Sequence, residues 1–198
     1  MINPTIYPLP RRPENQFMIK HDYFSLEELQ RIFEDQEEIP PWTGNTVDNR
    51  VDGVRECEVK SLPWNEKFDW LYEKIITDIV RVNHSNFGYT LTGLELIQFI
   101  KYEENSVGYI PHKDCDKPKD DLAPNIRRKI SVSIQLSDEE DYDGGELLLD
   151  CDSAHRQVFS KKIGSIVIFD SKLDHQVLPI SRGTRYSLVV WFCGPFME

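Results

Sequence analysis

The chain has little cysteine, a deficit of positive charge and no long apolar run, and each shortage removes a class of function. Its four cysteines, Cys57, Cys115, Cys151 and Cys193, stand far apart with no Cys-x-x-Cys spacing. That argues against a zinc knuckle and against a disulfide-stapled scaffold, and it fits a reducing compartment. Lys and Arg number 23 against 34 Asp and Glu, giving a formal net charge of -11. Such a surface repels phosphate backbones and anionic membranes, so a nucleic-acid partner is disfavoured. Met1 to Arg12 has neither the apolar run of a signal peptide nor the length of a membrane span, and the expectation is a cytoplasmic protein without membrane attachment. Internal repeats and low-complexity tracts are also lacking.

What is present is enough for one self-sufficient domain: 198 residues, of which 39% are hydrophobic. Three prolines in the first ten residues predict an extended N-terminal arm. Ser25-Leu-Glu-Glu28 reads as a capping box opening a helix to about Gln36, closed off before Pro40-Pro41-Trp42. Thr43 to Val59 is irregular. From Asn65 to Val82, Phe68, Leu71, Ile75, Ile76 and Ile79 recur at helical spacing and predict a packing helix, with Trp64 and Trp70 as its core anchors.

After Gly93 the period changes to two. Leu96, Gln98, Ile100 and Tyr102 share a face; so do Arg128, Ile130, Val132, Ile134 and Leu136, opposite Ser131, Ser133 and Gln135. A strand from Gly144 to Leu149, another from Ile166 to Phe169 and a last from Tyr186 to Phe192 complete the set. The fold class expected is mainly β with a helical layer (α+β). Residues 1–93 form an arm, helices and loops, and residues 94–198 form a jelly roll of two sheets.

Chemistry-bearing residues fall on these strands. In Tyr109-Ile110-Pro111-His112-Lys113-Asp114, His112 and Asp114 lie two apart and project together, offering an imidazole nitrogen and a carboxylate oxygen. With one more imidazole they would make the two-histidine, one-carboxylate set that binds Fe(II) and keeps positions open. His175, after the Ile166–Phe169 run and a polar turn, is the candidate third ligand; the other reading of it is a satisfied histidine at a strand edge. On the last strand Arg185, Ser187, Val189 and Trp191 share a face. An inward guanidinium there needs a carboxylate, supplied either by a salt bridge within the chain or by a ligand. Arg55 has two readings, a solvated surface charge or a substrate contact. The polar stretch Cys115 to Arg127, next to the His-x-Asp pair, is placed to act as a lid or to be a plain surface loop. His21, His84 and His155 sit in polar surroundings and are expected at the surface.

Taken as an ordered set, these residues resemble the Fe(II)- and 2-oxoglutarate-dependent oxygenases, in particular the prolyl 4-hydroxylase-like branch. The likeness runs from about residue 55 to 195. It includes Tyr102 ten residues before His112, Tyr109 just before it, the strand from Arg128 to Ile134 leading to Gly144-Gly-Glu-Leu147, the Gly164 to Phe169 approach to His175, and Arg185 ten residues beyond. Collagen-type members usually carry lysine where this chain has Arg185, which places the likeness nearer the arginine-bearing intracellular and microbial members. The first forty residues lie outside it.

The resemblance implies a double-stranded β-helix in which His112, Asp114 and His175 hold Fe(II). It implies 2-oxoglutarate as co-substrate with O2, bound by Arg185, Tyr102 and Ser187, and Tyr109, Arg55, Arg128 and Trp191 about the substrate. The reaction it implies is hydroxylation of an unactivated C–H bond, foremost of a prolyl residue in a peptide or protein, with release of succinate and carbon dioxide. Alternatives are a hydroxylase of a free amino acid or other small molecule, and a non-catalytic metal-binding jelly roll. A halogenase of this type should lack the carboxylate that Asp114 supplies. A nucleic-acid demethylase would usually carry a second arginine where Trp191 stands.

Overall fold

The computed structural model describes residues 16–43, 55–115, 125–150 and 156–196. The N-terminal arm, the stretch 44–54, residues 116–124 of the lid segment, Cys151 and His155 lie outside the described residues.

In chain order the elements are β1 (Phe17–Lys20), α1 (Leu26–Asp35), β2 (Trp42–Thr43), β3 (Glu58–Ser61), α2 (Asp69–Val82), β4 (Gly93–Leu94), β5 (Gln98–Tyr102), β6 (Tyr109–His112) and β7 (Ile126–Gln135). There follow β8 (Tyr142–Gly144), β9 (Leu147–Leu149), β10 (Gln157–Val158), β11 (Ile166–Asp170), β12 (His175–Val177), β13 (Ile180–Gly183) and β14 (Arg185–Pro195). The major sheet runs β1-β11-β7-β14-β5-β3-β2, with β4 also on β14; the minor sheet runs β10-β9-β12-β6, and β13 pairs with β8. All the pairings are antiparallel. This is the jelly roll expected, with two helices laid against it.

The helices form where the sequence says they should, for identifiable reasons. At α1 the Ser25 hydroxyl accepts the Glu28 N–H at 3.2 Å and the Glu28 carboxylate accepts the Ser25 N–H at 2.8 Å, a complete capping box. Leu29 and Ile32 are its buried stripe. α2 begins four residues later than the apolar spacing predicts. The Asn65 side chain accepts the N–H groups of Lys67 and Phe68, and its carbonyl those of Phe68 and Asp69, so a separate turn precedes the helix. Trp64 does not anchor the core: it is 54% exposed and lies flat on Tyr72, ring centroids 4.8 Å apart. Trp70 does pack against the core. Leu96 is exposed too, although Gln98, Ile100 and Tyr102 of its expected face are buried.

The major sheet separates two environments by its period of two. Ile130, Val132, Ile134, Leu188, Val190 and Phe192 belong to one cluster with Leu29, Ile32, Leu71, Ile75 and Ile79 of the helices. Their alternates, including Ser133, Gln98, Tyr102, Arg185, Ser187 and Trp191, line a pocket on the other face. Burying the apolar face under the helices supplies the hydrophobic free energy, about 25 cal/mol for each Å² of apolar surface removed from water, and leaves the other face open to polar side chains. The single strand expected from Gly144 to Leu149 is instead two strands in two sheets. Gly144 and Gly145 both take positive φ (81° and 67°), and a Cβ on Gly144 would meet the Pro179 carbonyl oxygen at 2.0 Å, so the chain turns there at a point only glycine permits.

Tyr72 ties α2 to the sheet. Its buried hydroxyl donates to the Leu62 carbonyl at 2.7 Å and accepts the Ile97 N–H at 3.0 Å. Tyr72→Phe keeps the ring but strands two buried backbone groups, and is expected to cost about 2–4 kcal/mol. The check is a lowered urea midpoint at unchanged m-value; a midpoint equal to wild type would show that the bridge is dispensable.

Candidate active site

Two strands of the minor sheet bring the histidines together. β6 and β12 run antiparallel with His112 directly opposite His175, and the two rings lie 4.2 Å apart. Gly108 lets β6 come this close, since it has φ +73° and a Cβ there would sit 2.3 Å from the Val177 carbonyl oxygen. Asp114 follows β6, and its backbone N–H and that of Cys115 both donate to the Ser171 carbonyl at 3.1 Å. One nitrogen or oxygen from each of His112, Asp114 and His175 falls within 4.8 Å of the others, an arrangement able to hold one ion.

The protonation of His112 and Asp114 suits a metal. Each histidine turns Nδ1 to a carbonyl, His112 to Ile110 at 2.8 Å and His175 to Leu173 at 3.0 Å. A neutral ring that donates from Nδ1 has its Nε2 lone pair free. Burial, then the neighbouring His175, pushes His112 down to about 4, so it is neutral at ordinary pH. Burial works against an ionised Asp114, but His175, Arg128 and His112 outweigh it and hold the carboxyl well below the usual range. His175 is raised: burial opposes its charged form, and Asp114, 3.3 Å from Nε2, overcomes that. Two imidazoles and one ionised carboxylate are the donor set that suits Fe(II) with positions left open.

Asp114 is fixed from behind. The Ser131 hydroxyl donates to Oδ2 at 2.7 Å and Arg128 Nη1 donates to Oδ1 at 3.2 Å. Arg128 is itself clamped by Glu95, with Nη2 donating to Oε2 at 2.8 Å, and its guanidinium lies 3.5 Å above the Trp191 ring. The strict alternation that places Arg128 with Ile130 and Val132 therefore fails. The β7–β14 register slips between Phe192 and Cys193, which turns Arg128 to the side of Ser131 and Asp114. With its nitrogens engaged by Glu95 and Asp114, Arg128 serves the carboxylate and the Trp191 face more directly than a substrate. Ser131, Ser171 and Glu95 are site residues that the sequence reading missed. A polar face in the middle of an otherwise apolar strand was the signal for Ser131; Glu95 gave none.

Behind the three donors the pocket, about 790 Å³ counted out to its mouth, runs to Arg185. Arg185 is 4% exposed and directly opposite Tyr102 in the β14–β5 pairing. Its Nη1 donates to the Ser187 hydroxyl at 3.2 Å, while its buried Nε has no hydrogen-bond partner among the described residues. No described carboxylate lies within ion-pair distance, so the salt-bridge reading of this arginine does not hold among the described residues. At the other end Tyr109 stacks on His112 with centroids 3.6 Å apart, and Trp191 and the half-exposed Trp42 add aromatic walls. Arg55 also lines the pocket, with its guanidinium carbon 5.0 Å from the Tyr109 centroid, so it is no solvated surface charge. The structure thus gathers all ten residues singled out from the sequence about one pocket. His21 and His84 are exposed as expected.

Comparison with known proteins agrees with this geometry. The family model described as the 2OG-Fe(II) oxygenase superfamily matches residues 97–193. A PKHD-type hydroxylase of Synechococcus sp. (strain JA-2-3B'a(2-13)) is 35% identical over 88 residues, which are 44% of this chain and 38% of the relative. A PKHD-type hydroxylase of Xanthomonas campestris pv. campestris (strain B100) is 38% identical over 69 residues, 35% of this chain and 30% of the relative. The chain therefore matches less than half the length of these curated relatives. Among solved structures, a Trichoplax adhaerens prolyl hydroxylase in complex with a hypoxia inducible factor oxygen degradation domain peptide superposes with TM-score 0.74 at 20% identity, covering 90% of this chain and 84% of that one. A Pseudomonas putida prolyl-4-hydroxylase gives TM-score 0.67 at 22% identity, covering 90% and 92%. Residues 97–193 are thus similar in sequence to the 2OG-Fe(II) oxygenase superfamily, and the chain carries the fold of the prolyl hydroxylases.

Proposed function

We propose that this chain is an Fe(II)- and 2-oxoglutarate-dependent dioxygenase that hydroxylates a prolyl residue in a peptide or protein. The observation that carries the reading is the pairing, in one pocket, of a convergent His112, Asp114 and His175 donor set with a buried Arg185 that has no carboxylate partner among the described residues. A buried guanidinium costs several kcal/mol unless an anion meets it, and a dicarboxylate reaching from the metal to Arg185 meets it.

The residues divide the work. His112 and His175 present Nε2, and Asp114 presents one oxygen while Arg128 and Ser131 hold the carboxylate from behind. Arg185, with Ser187 and Tyr102 beside it, takes the distal carboxylate of the co-substrate and so fixes its reach. Tyr109 and Trp191 line the pocket as aromatic walls against which a prolyl ring is seated, and they keep water from the reacting carbon. Bound Fe(II) supplies the oxidative chemistry, in which 2-oxoglutarate and O2 give succinate, carbon dioxide and one oxygen for the substrate C–H bond. The prolyl substrate is supported by the fold shared with prolyl hydroxylases, one of them in complex with a peptide.

Asp114→Ala and the less disruptive Asp114→Asn are both expected to abolish 2-oxoglutarate turnover and weaken metal binding. Normal turnover in Asp114→Asn, with its iron content measured, would remove Asp114 from the donor set.

Arg185→Ala removes a charge-assisted partner and is expected to weaken 2-oxoglutarate binding by about 2–4 kcal/mol, tens- to a thousand-fold, with metal affinity retained. Calorimetric titration of the Mn(II)-loaded protein reads this without turnover; equal affinities would exclude Arg185 from the co-substrate site.

Succinate release with proline-containing peptides, against the same peptides carrying alanine, tests the substrate. Release dependent on proline, with a gain of one oxygen in the peptide mass, is the expected result. If only free small molecules were hydroxylated, the prolyl-peptide assignment would fail and the oxygenase assignment would stand.

A further inference from the structure

Among the described residues three arginines reach this pocket, and their surroundings differ. Arg128 is neutralised by Glu95 and Asp114. Arg185 faces the co-substrate end. Arg55 stands just before β3 and faces Tyr102, as Arg185 does from β14; its backbone bridges to Tyr109 and its guanidinium lies against the Tyr109 ring, whose own neighbour is His112. Its Nε is buried without a hydrogen-bond partner among the described residues. The groups it faces are Tyr102, Tyr109 and Cys57, none of them a carboxylate.

Charge balance gives this meaning. A divalent cation, the Asp114 carboxylate, the two carboxylates of 2-oxoglutarate and Arg185 cancel, and Arg128 cancels against Glu95. Among the described residues the positive charge of Arg55 is left over, held in a pocket wall where a lone cation is costly. The co-substrate has no third carboxylate to give it. Of the pocket's occupants, the substrate is the one left to supply it.

We propose that Arg55 recognises a carboxylate on the substrate, so that the substrate class is an anionic prolyl compound, in which the carboxylate belongs to the prolyl unit itself at a chain end or to an adjacent acidic side chain. This rests on the oxygenase reading above and narrows it. The aromatic walls of Tyr109 and Trp191 flank the ring, and Arg55, which lines the same pocket, takes the charge.

The test is equilibrium binding to the full chain loaded with Mn(II) and 2-oxoglutarate without oxygen, so that no turnover is read. One pair of peptides ends in proline as the free acid or as the amide; a second pair carries aspartate or asparagine beside an internal proline, both ends blocked. Wild type is expected to bind the acid of one pair about tenfold or more tighter than its neutral twin, the scale of one charge-assisted hydrogen bond. Which pair responds identifies the source of the carboxylate. Arg55→Gln and Arg55→Ala should lose the preference, and Arg55→Lys should keep part of it. The wild-type comparison needs no variant, so a misfolded substitution leaves the test intact. Equal affinity within both pairs overturns the proposal, and so does a preference that persists in folded Arg55→Gln. Loss of 2-oxoglutarate affinity in that variant with the peptide preference intact also overturns it. Proline-dependent succinate release indifferent to peptide charge would sink the Arg55 assignment alone, whereas no release with any peptide would sink the prolyl reading beneath it.

Discussion

The constraint on which this structure turns is the burial of one carboxylate. Asp114 is 9% exposed, and an ionised group there survives only if its oxygens and the backbone around it are fully met. Ser131 and Arg128 reach it from β7, and the Ser131 hydroxyl is 2.8 Å from that of Ser171. Ser171 in turn accepts the N–H groups of Asp114 and Cys115 through its carbonyl and donates its own N–H to Lys129. The end of β6, the bulged start of β7 and the turn that delivers His175 are thereby one hydrogen-bonded unit. A shift in any of them would leave a buried polar group without a partner, which is what keeps three donors from two chain segments convergent.

The second determinant is the two-faced major sheet. Its outer face is sealed by α1 and α2, down to edge-to-face contacts of Phe33 with Phe99 and Tyr186 at 5.6 and 5.3 Å. With the hydrophobic stabilisation placed there, the inner face can carry Ser133, Gln98, Ser187 and Arg185, which would be destabilising in a core. Strands of a rigid sheet fix these side chains better than loops would, as a pre-organised binding site requires. Arg128, Arg185 and Arg55 show the gradation: among the described residues the first is paired with carboxylates and the other two are not.

The sequence by itself determined a good deal. A period of 3.6 in Phe68 to Ile79, a capping box at Ser25 and a period of two after Gly93 are local consequences of backbone geometry, and they identified the helices, most strands and the polar inner face. His112 and Asp114, two apart on a strand, and Arg185 in step with Ser187 and Trp191 were legible for the same reason, since a strand's repeat dictates which side chains point together. The ordered set of Tyr102, Tyr109, His175 and the glycine-bearing turns added the family.

Only the tertiary structure decided what depends on contacts between distant segments. His175 becomes a partner of His112 through strand pairing across 63 positions of sequence, a relation that no local periodicity contains. Arg128 left its expected face because a register slip against β14 inserted one residue, and a slip of one reverses every side chain beyond it. Glu95 acquired its place only as the counter-charge of that arginine. Trp64, with an apolar ring fit for the core, went to the surface because Asn65 turned the chain before α2 could begin. Gly144 and Gly145 split one expected strand into two because the Pro179 carbonyl passes where a side chain would stand. Local sequence sets which way a side chain points within its element. Which group it meets there is settled by the register and packing of elements far apart in the chain, where the cost of burying an unmatched charge is decided.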